Sequence, residues 1–104
     1  MRALVVLTTT DSEEVADRLS RKLVEERLAA CIQVIPMRSR YWWEGKVEEA
    51  SEYLLIIKTT EERYPELEKR IKELHNYTVP EILALPVVEG YGPYLDWLFR
   101  ETRK

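Results

Sequence analysis

The sequence has few of the residues on which several common kinds of site depend. Its single cysteine, Cys31, cannot form an intramolecular disulfide and supplies no CxxC pair for a metal. The apolar run near the N-terminus, residues 3–7, is too short for a signal peptide or a membrane span. Sixteen Lys and Arg residues against nineteen Asp and Glu give a net charge of −3, which argues against holding nucleic acid by charge. We therefore expect a cytoplasmic protein of one domain, residues 1–104, that binds neither membrane nor nucleic acid.

The residues that are abundant point to a well-packed domain. Apolar residues make up 45% of the chain, which is enough for a buried core. Charged residues make up 34%, whereas Asn and Gln occur once each, as Asn76 and Gln33. A composition with many charges and few amides is typical of proteins from organisms that live at high temperature.

Hydrophobic periodicity predicts seven elements in the order strand, helix, strand, strand, helix, strand, helix. Capping-box spacing at Thr10 and Glu13, or at Asp11 and Glu14, predicts the start of the first helix. A turn at Glu44-Gly45 predicts a long hairpin. Pro36, within its first arm, predicts a bulge or an edge strand. The predicted strands are residues 3–7, 30–43, 47–58 and 82–88. The first helix is predicted to run to about residue 27, the second to be opened by 59–62 and ended by 75–76, and the third to comprise residues 94–102.

This order predicts an α+β fold, the ferredoxin-like split βαβ sandwich, with a long β2–β3 hairpin and an extra C-terminal helix. In such a fold the helices cover one face of an antiparallel sheet. The sequence contains no second helical layer for the other face, and the hairpin is longer than the first strand. Both features predict self-association through the sheet.

Five stretches of the sequence carry a family resemblance: ERLAAC at 26–31, YWWEGK at 41–46, IKTT at 57–60, HNYTVPEI at 75–82 and YLDWL at 94–98. They resemble the CutA family of divalent-cation tolerance proteins. They occur in the family's order and at its spacing, and together they extend over nearly the whole chain. The resemblance implies a tight homotrimer similar in architecture to PII signalling proteins, with a link to copper and other divalent cations. It implies no required cofactor.

His75 is the only histidine and is therefore the candidate metal ligand. Some members of the family carry a second histidine where this chain has Leu74, and a cysteine where it has Thr8. The alternative reading is that His75 makes hydrogen bonds at the end of the second helix.

Lys58, Tyr77 and Glu81 are candidates for a polar cleft between subunits, where PII-like trimers hold ligands. Glu81 follows Pro80 at the start of a strand, and a carboxylate there needs a cation or donors nearby. The alternative reading is an interface ion pair between Lys58 and Glu81 without a ligand.

The aromatic residues at the hairpin end, Tyr41, Trp42 and Trp43, are predicted to lie in the trimer interface, because exposed rings would form an adhesive patch. Cys31 alternates with apolar residues and is predicted to be a core thiol screened from water, with a Cu(I) ligand as the alternative. The sequence has no nucleophile elbow, no glycine-rich phosphate loop and no second histidine, so we expect no enzyme.

Three functions follow from these observations. The first is a homotrimeric protein for copper and divalent-cation tolerance that binds or responds to metal ions. The second is a PII-like signalling module that binds a small anionic ligand between subunits. The third is a structural trimer whose metal binding is incidental.

Overall fold

The computed structural model of the chain describes residues 2–103; the two ends of the predicted 1–104 domain, residues 1 and 104, lie outside this range. Seven elements follow one another in the predicted order. They are β1 (Ala3–Thr10), α1 (Glu13–Glu25), β2 (Cys31–Trp43), β3 (Lys46–Thr60), α2 (Tyr64–Leu74), β4 (Ile82–Pro86) and α3 (Gly92–Glu101).

The four strands form one antiparallel sheet in the order β2-β3-β1-β4. The first and third strands are neighbours at its centre, which is the ferredoxin-like arrangement. The predicted α+β class, the long hairpin and the extra C-terminal helix are thereby confirmed.

The core lies between one face of the sheet and the helices α1 and α2. Alternate residues of β1 and β3 point into it, as the two-residue period of a strand requires. The two helices contribute one apolar stripe each. The largest fully buried members of this core are Val6, Leu19, Leu23, Leu55, Ile57, Leu67 and Ile71.

The start of α1 differs from both predicted capping boxes. Ser12 is the N-cap residue, and its hydroxyl accepts a hydrogen bond from the backbone N–H of Val15 at 3.2 Å. Thr10 is the last residue of β1, and its hydroxyl donates to the side chain of Asn76. Thr10, Asp11 and Ser12 all have side-chain oxygens that can accept a hydrogen bond from the first turn of a helix. The sequence alone therefore did not decide which of them is the N-cap residue.

The start of α2 also lies later than predicted. Thr59 and Thr60 complete β3, and the helix begins at Tyr64 with Pro65 in its first turn. Pairing of these threonines with Leu4 and Ala3 of β1 extends the strand. The helix ends at His75, as predicted.

The hairpin turns at Glu44 and Gly45, which both have positive φ, +49° and +80°. Two left-handed residues give the turn whose twist matches a two-residue hairpin. Pro36 lies on the edge strand, as one of the two predictions had it, and the register runs through it without a bulge.

The hairpin extends beyond the rest of the sheet. Pairing between β1 and β3 ends at Thr10 and Tyr53, so residues 37–43 and 46–52 have no third strand beside them. At about 3.3 Å per residue this two-stranded ribbon projects roughly 20 Å. A ribbon of this kind is marginally stable on its own in water.

The expectation that nothing covers the second face is wrong at one end of the sheet. Helix α3 packs against β1 and β3, and its Leu98 is buried. Its Tyr94 hydroxyl interacts with Cys31, whose neighbour Ile32 points the other way into the core. The remainder of that face, which we call the open face, carries no helix.

Strand β4 ends at Pro86 rather than at the predicted Val88. Within residues 2–103, no helix is long and apolar enough to cross a membrane.

Candidate functional site

A cleft of about 1030 Å³ lies on the open face, between the base of the projecting ribbon and the segment that joins α2 to β4. One wall comes from β2 and β3, and the other from residues 77–81. Its lining combines aromatic and apolar side chains with three carboxylates. The lining residues are Thr9, Asp11, Met37, Ser39, Arg40, Tyr41, Trp43, Glu52, Leu54, Tyr77, Thr78, Val79 and Glu81.

Tyr77 connects the two walls of the cleft. Its hydroxyl donates a hydrogen bond of 2.7 Å to Glu52 Oε2. Glu52 is buried although it lies on the ribbon, since β3 alternation places it on the same face as Leu54. Burial, followed by this hydrogen bond and the charge of Glu52, raises the pKa of Tyr77 far above its usual value. The tyrosine is therefore a neutral hydrogen-bond donor at physiological pH.

His75 lies directly behind Tyr77. Its Nε2 is 2.8 Å from the carbonyl oxygen of Thr9, and the backbone N–H of Tyr77 donates to its Nδ1 at 3.0 Å. The two rings lie 4.9 Å apart at an angle of 45°. Half-burial of the ring lowers the pKa of His75, and the bond to Thr9 and the carboxylates Asp11 and Glu52 act against that shift.

The structure brings Tyr77 and Glu81 to the same cleft, but it places Lys58 elsewhere in the chain. Lys58 pairs with Cys31 across β2 and β3, and its Nζ donates to Gln33 Oε1. It is not among the cleft-lining residues. The prediction that Lys58 joins Tyr77 and Glu81 therefore concerns only a space between subunits, and there it stays a prediction.

The aromatic end of the hairpin is exposed within the single chain. Trp42 has 74% of its surface accessible and Trp43 has 60%. Tyr41 and Trp43 point toward the cleft, whereas Trp42 points to the other side of the ribbon, where it pairs with Val47. The predicted interface therefore comprises two surfaces of the ribbon.

The open face adds exposed aliphatic side chains to these rings. Ile35 of β2 and the β4 residues Leu83 and Leu85 are exposed. Strand alternation places all three on the face of the sheet opposite the core. Several exposed apolar side chains on one face of a sheet are typical of a face that another protein surface covers.

Cys31 is half-buried rather than screened. It lies on the face of the sheet that α3 partly covers, where Gln33 Nε2 donates to its sulfur at 3.2 Å. Burial, and then the neighbouring Cys31, raises the pKa of Tyr94. Within the single chain the thiol is only partly screened, because β2 is the edge strand, and its screening by a neighbouring copy stays a prediction.

No group of three His, Cys, Asp or Glu side chains within residues 2–103 is arranged to hold a metal ion. The carboxylates nearest to such a role are Asp11, Glu52 and Glu81, which line the cleft without converging.

The sequence did not indicate Glu52 or Asn76 as residues of the site. The only signal for Glu52 was its alternation with Leu54, and nothing local marked Asn76, which binds Thr10 and Asp11 across the fold.

Comparisons with known proteins agree with one another. The family model of the CutA1 divalent ion tolerance protein matches residues 4–101. The chain is 54% identical over 99 residues to the divalent-cation tolerance protein CutA of Thermus thermophilus, covering 94% of this chain and 96% of that protein. It is similar to the solved structure of the divalent cation tolerance protein from Thermus thermophilus, with a TM-score of 0.94, 53% identity and coverage of 97% and 99%. It is also similar to the structure of the periplasmic divalent cation tolerance protein CutA from Archaeoglobus fulgidus, with a TM-score of 0.94, 38% identity and coverage of 97% and 99%.

Proposed function

The chain belongs to the CutA1 divalent ion tolerance family, and from this premise we propose that it acts as a cytoplasmic homotrimer that binds divalent metal ions without catalysing a reaction. The general role in divalent-cation tolerance comes from the family. The trimer, the metal binding and the location in the cytoplasm are our proposals. The Archaeoglobus fulgidus relative is described as periplasmic, so location is a property to test for each member.

The projecting ribbon is the observation that carries the proposal. Its strand β2 exposes Trp42 on one side and Trp43 on the other, beyond the end of β1. Burial of each of these large side chains against a partner would stabilise the assembly by about 1.5–3 kcal/mol. Three copies arranged around an axis cover each ribbon with a neighbouring sheet, as in PII-like trimers.

Sedimentation equilibrium at micromolar concentration tests the assembly. We expect a mass near three chains of 12.4 kDa each. Trp43→Asp should shift that mass toward one chain, because it places an unpaired charge in an apolar contact. Val24→Asp is the matched control, since Val24 lies on α1, away from the ribbon, and should leave the mass unchanged. A wild-type mass near one chain, or a fully trimeric Trp43→Asp variant, would contradict the proposed interface.

Metal ions are proposed to bind weakly, at oxygen ligands contributed by more than one copy. The cleft carboxylates Asp11 and Glu81 are the candidates, because carboxylates bind divalent cations and both side chains are exposed. Calorimetric titration with Cu(II) and Zn(II) should give an affinity that falls several-fold in Glu81→Gln. Glu62→Gln, an exposed carboxylate before α2, is the control and should bind as the wild type does. Equal binding by all three proteins would remove the cleft from the proposal.

An anionic ligand between subunits is the second candidate, and the surroundings of Lys58 favour it. Its ammonium group donates to the neutral side chain of Gln33 on the open face. A phosphate or carboxylate from a ligand would supply the missing opposite charge. Titration with a panel of nucleotides, repeated on Lys58→Met and Tyr77→Phe, tests this function. If neither metals nor nucleotides bind, the structural trimer is the function that remains.

A further inference from the structure

The hydrogen bonds of His75 determine which of its ring nitrogens carries a proton. The Thr9 carbonyl oxygen, 2.8 Å from Nε2, can only accept, so Nε2 must carry the hydrogen. The N–H of Tyr77, 3.0 Å from Nδ1, can only donate, so Nδ1 must present its lone pair. Only the neutral Nε2–H tautomer satisfies both partners.

The residues that follow His75 extend this connection to the cleft. The Asn76 side chain accepts from the Thr10 hydroxyl at 2.7 Å and donates to Asp11 Oδ1 at 2.9 Å. Tyr77 then donates to Glu52 at 2.7 Å. Residues 75–77 thus join the end of β1 to the base of the ribbon, and the ring of His75 fixes the backbone from which the Tyr77 side chain leaves.

We propose that His75 is a positioning residue, which holds Tyr77 and with it one wall of the cleft, and that it is not a metal ligand in this chain. Coordination requires a lone pair on a ring nitrogen. A metal at Nδ1 would displace the Tyr77 N–H, and a metal at Nε2 would displace both a proton and the Thr9 carbonyl. Either change leaves a partly buried polar group without its partner, which is costly. This proposal depends on contacts within one chain and requires neither the proposed trimer nor metal binding in the cleft.

The first test reads the tautomer directly. Because the chain has one histidine, two-bond ¹H–¹⁵N correlation spectra of the full-length protein report on His75 alone. We expect Nε2 to be protonated and Nδ1 unprotonated near neutral pH. Adding Zn(II), a diamagnetic ion, in several-fold excess should leave both nitrogen shifts unchanged. An Nδ1–H tautomer, or a zinc-dependent shift of either ring nitrogen, would overturn the proposal.

The second test separates the two hydrogen bonds with a pair of variants. In His75→Asn the side-chain oxygen takes the place of Nδ1 and can accept from Tyr77, whereas in His75→Gln the amide nitrogen takes the place of Nε2 and can donate to Thr9. The Tyr77 amide hydrogen should exchange roughly tenfold faster in His75→Gln than in wild type, and His75→Asn should restore its protection. Equal protection in all three proteins would show that the ring does not hold Tyr77. If a variant fails to fold, the wild-type spectra still decide the question.

Copper titration keeps this inference distinct from the proposed function. We expect any loss of Cu(II) affinity in His75→Gln to be recovered in His75→Asn, which keeps the bond to Tyr77, and an equal loss in both variants would identify His75 as a ligand after all. If the wild type binds no copper, the metal part of the proposed function fails, whereas the tautomer and the exchange rates still test the role of His75.

Discussion

Replacing Thr8 with valine should stabilise the protein, which is the reverse of the usual effect of a core substitution. Thr8 lies at the centre of the sheet, between Leu55 on β3 and Ile82 on β4, and it is completely buried. Its hydroxyl is the one buried side-chain oxygen or nitrogen within residues 2–103 that has no hydrogen-bond partner. In the unfolded chain water satisfies that hydroxyl, so folding carries its desolvation cost without a compensating bond.

The magnitude follows from what the substitution changes. Valine keeps the β-branched shape and places a methyl group where the hydroxyl was, so packing and strand propensity change little. Removing the desolvation cost of an unpartnered buried hydroxyl should raise the free energy of unfolding by about 1–2 kcal/mol for each chain.

Thr59 provides a matched control on the same face of the sheet. It is also completely buried, but its hydroxyl donates to the carbonyl oxygen of Leu28 at 2.7 Å. Thr59→Val leaves that buried carbonyl unpaired and should lower the free energy of unfolding by about 1–3 kcal/mol. The same chemical change should therefore have opposite signs at two positions.

Guanidinium unfolding at one fixed protein concentration measures both effects, because the stability of an oligomer depends on concentration. The midpoint should rise for Thr8→Val and fall for Thr59→Val, with unchanged slopes. Destabilisation of similar size in both variants would refute the reasoning, since it would mean that the Thr8 hydroxyl has a partner in solution.

Three further predictions concern stability. Arg63→Ala should cost about 2 kcal/mol in calorimetric unfolding, because the buried guanidinium donates to the carbonyl oxygens of Glu26 and Arg27 at the end of α1; Arg63→Lys should recover part of the loss. Leu98→Ala should cost about 2–5 kcal/mol, since this side chain anchors α3 on the sheet; a negligible effect would mean that α3 detaches freely. Burial and a hydrogen bond to Glu68 raise the pKa of Tyr64 to about 12 from its ordinary value of 10.0. Its proton therefore contributes stability below pH 10.0 that is lost as the pH rises to about 12, and Tyr64→Phe should remove that part of the alkaline loss in a pH series of unfolding curves.

The elements themselves could be predicted because their signals are local. The stripe of Leu67 and Ile71 at helical spacing, and the alternation from Leu55 to Ile57, each identify an element within one segment of sequence. Boundaries were less certain where two local rules competed. Thr59 and Thr60 suit a helix start and a strand equally well, and pairing with β1 decided for the strand.

The candidate site could be predicted only in part, because it is made of contacts between distant segments. The sequence marked His75, Tyr77 and Glu81 through their resemblance to a family and their chemical types. It gave no sign that Glu52 accepts from Tyr77 or that Lys58 lies away from the cleft. Both depend on the register of β3 against β1, which pairs Lys58 with Val5 and leaves Glu52 just beyond the end of β1.

The amino-acid sequence by itself determined the order of the elements, the long hairpin and the family, since periodicity, turn residues and motif spacing are written in neighbouring positions. Only the tertiary structure supplied the contacts on which the proposed positioning role of His75 rests. Its type and its place at the end of α2 suit a metal ligand and a hydrogen-bonding residue alike. The choice depends on the Thr9 carbonyl and the Tyr77 N–H, which the fold places on opposite sides of one ring and which together leave neither nitrogen free.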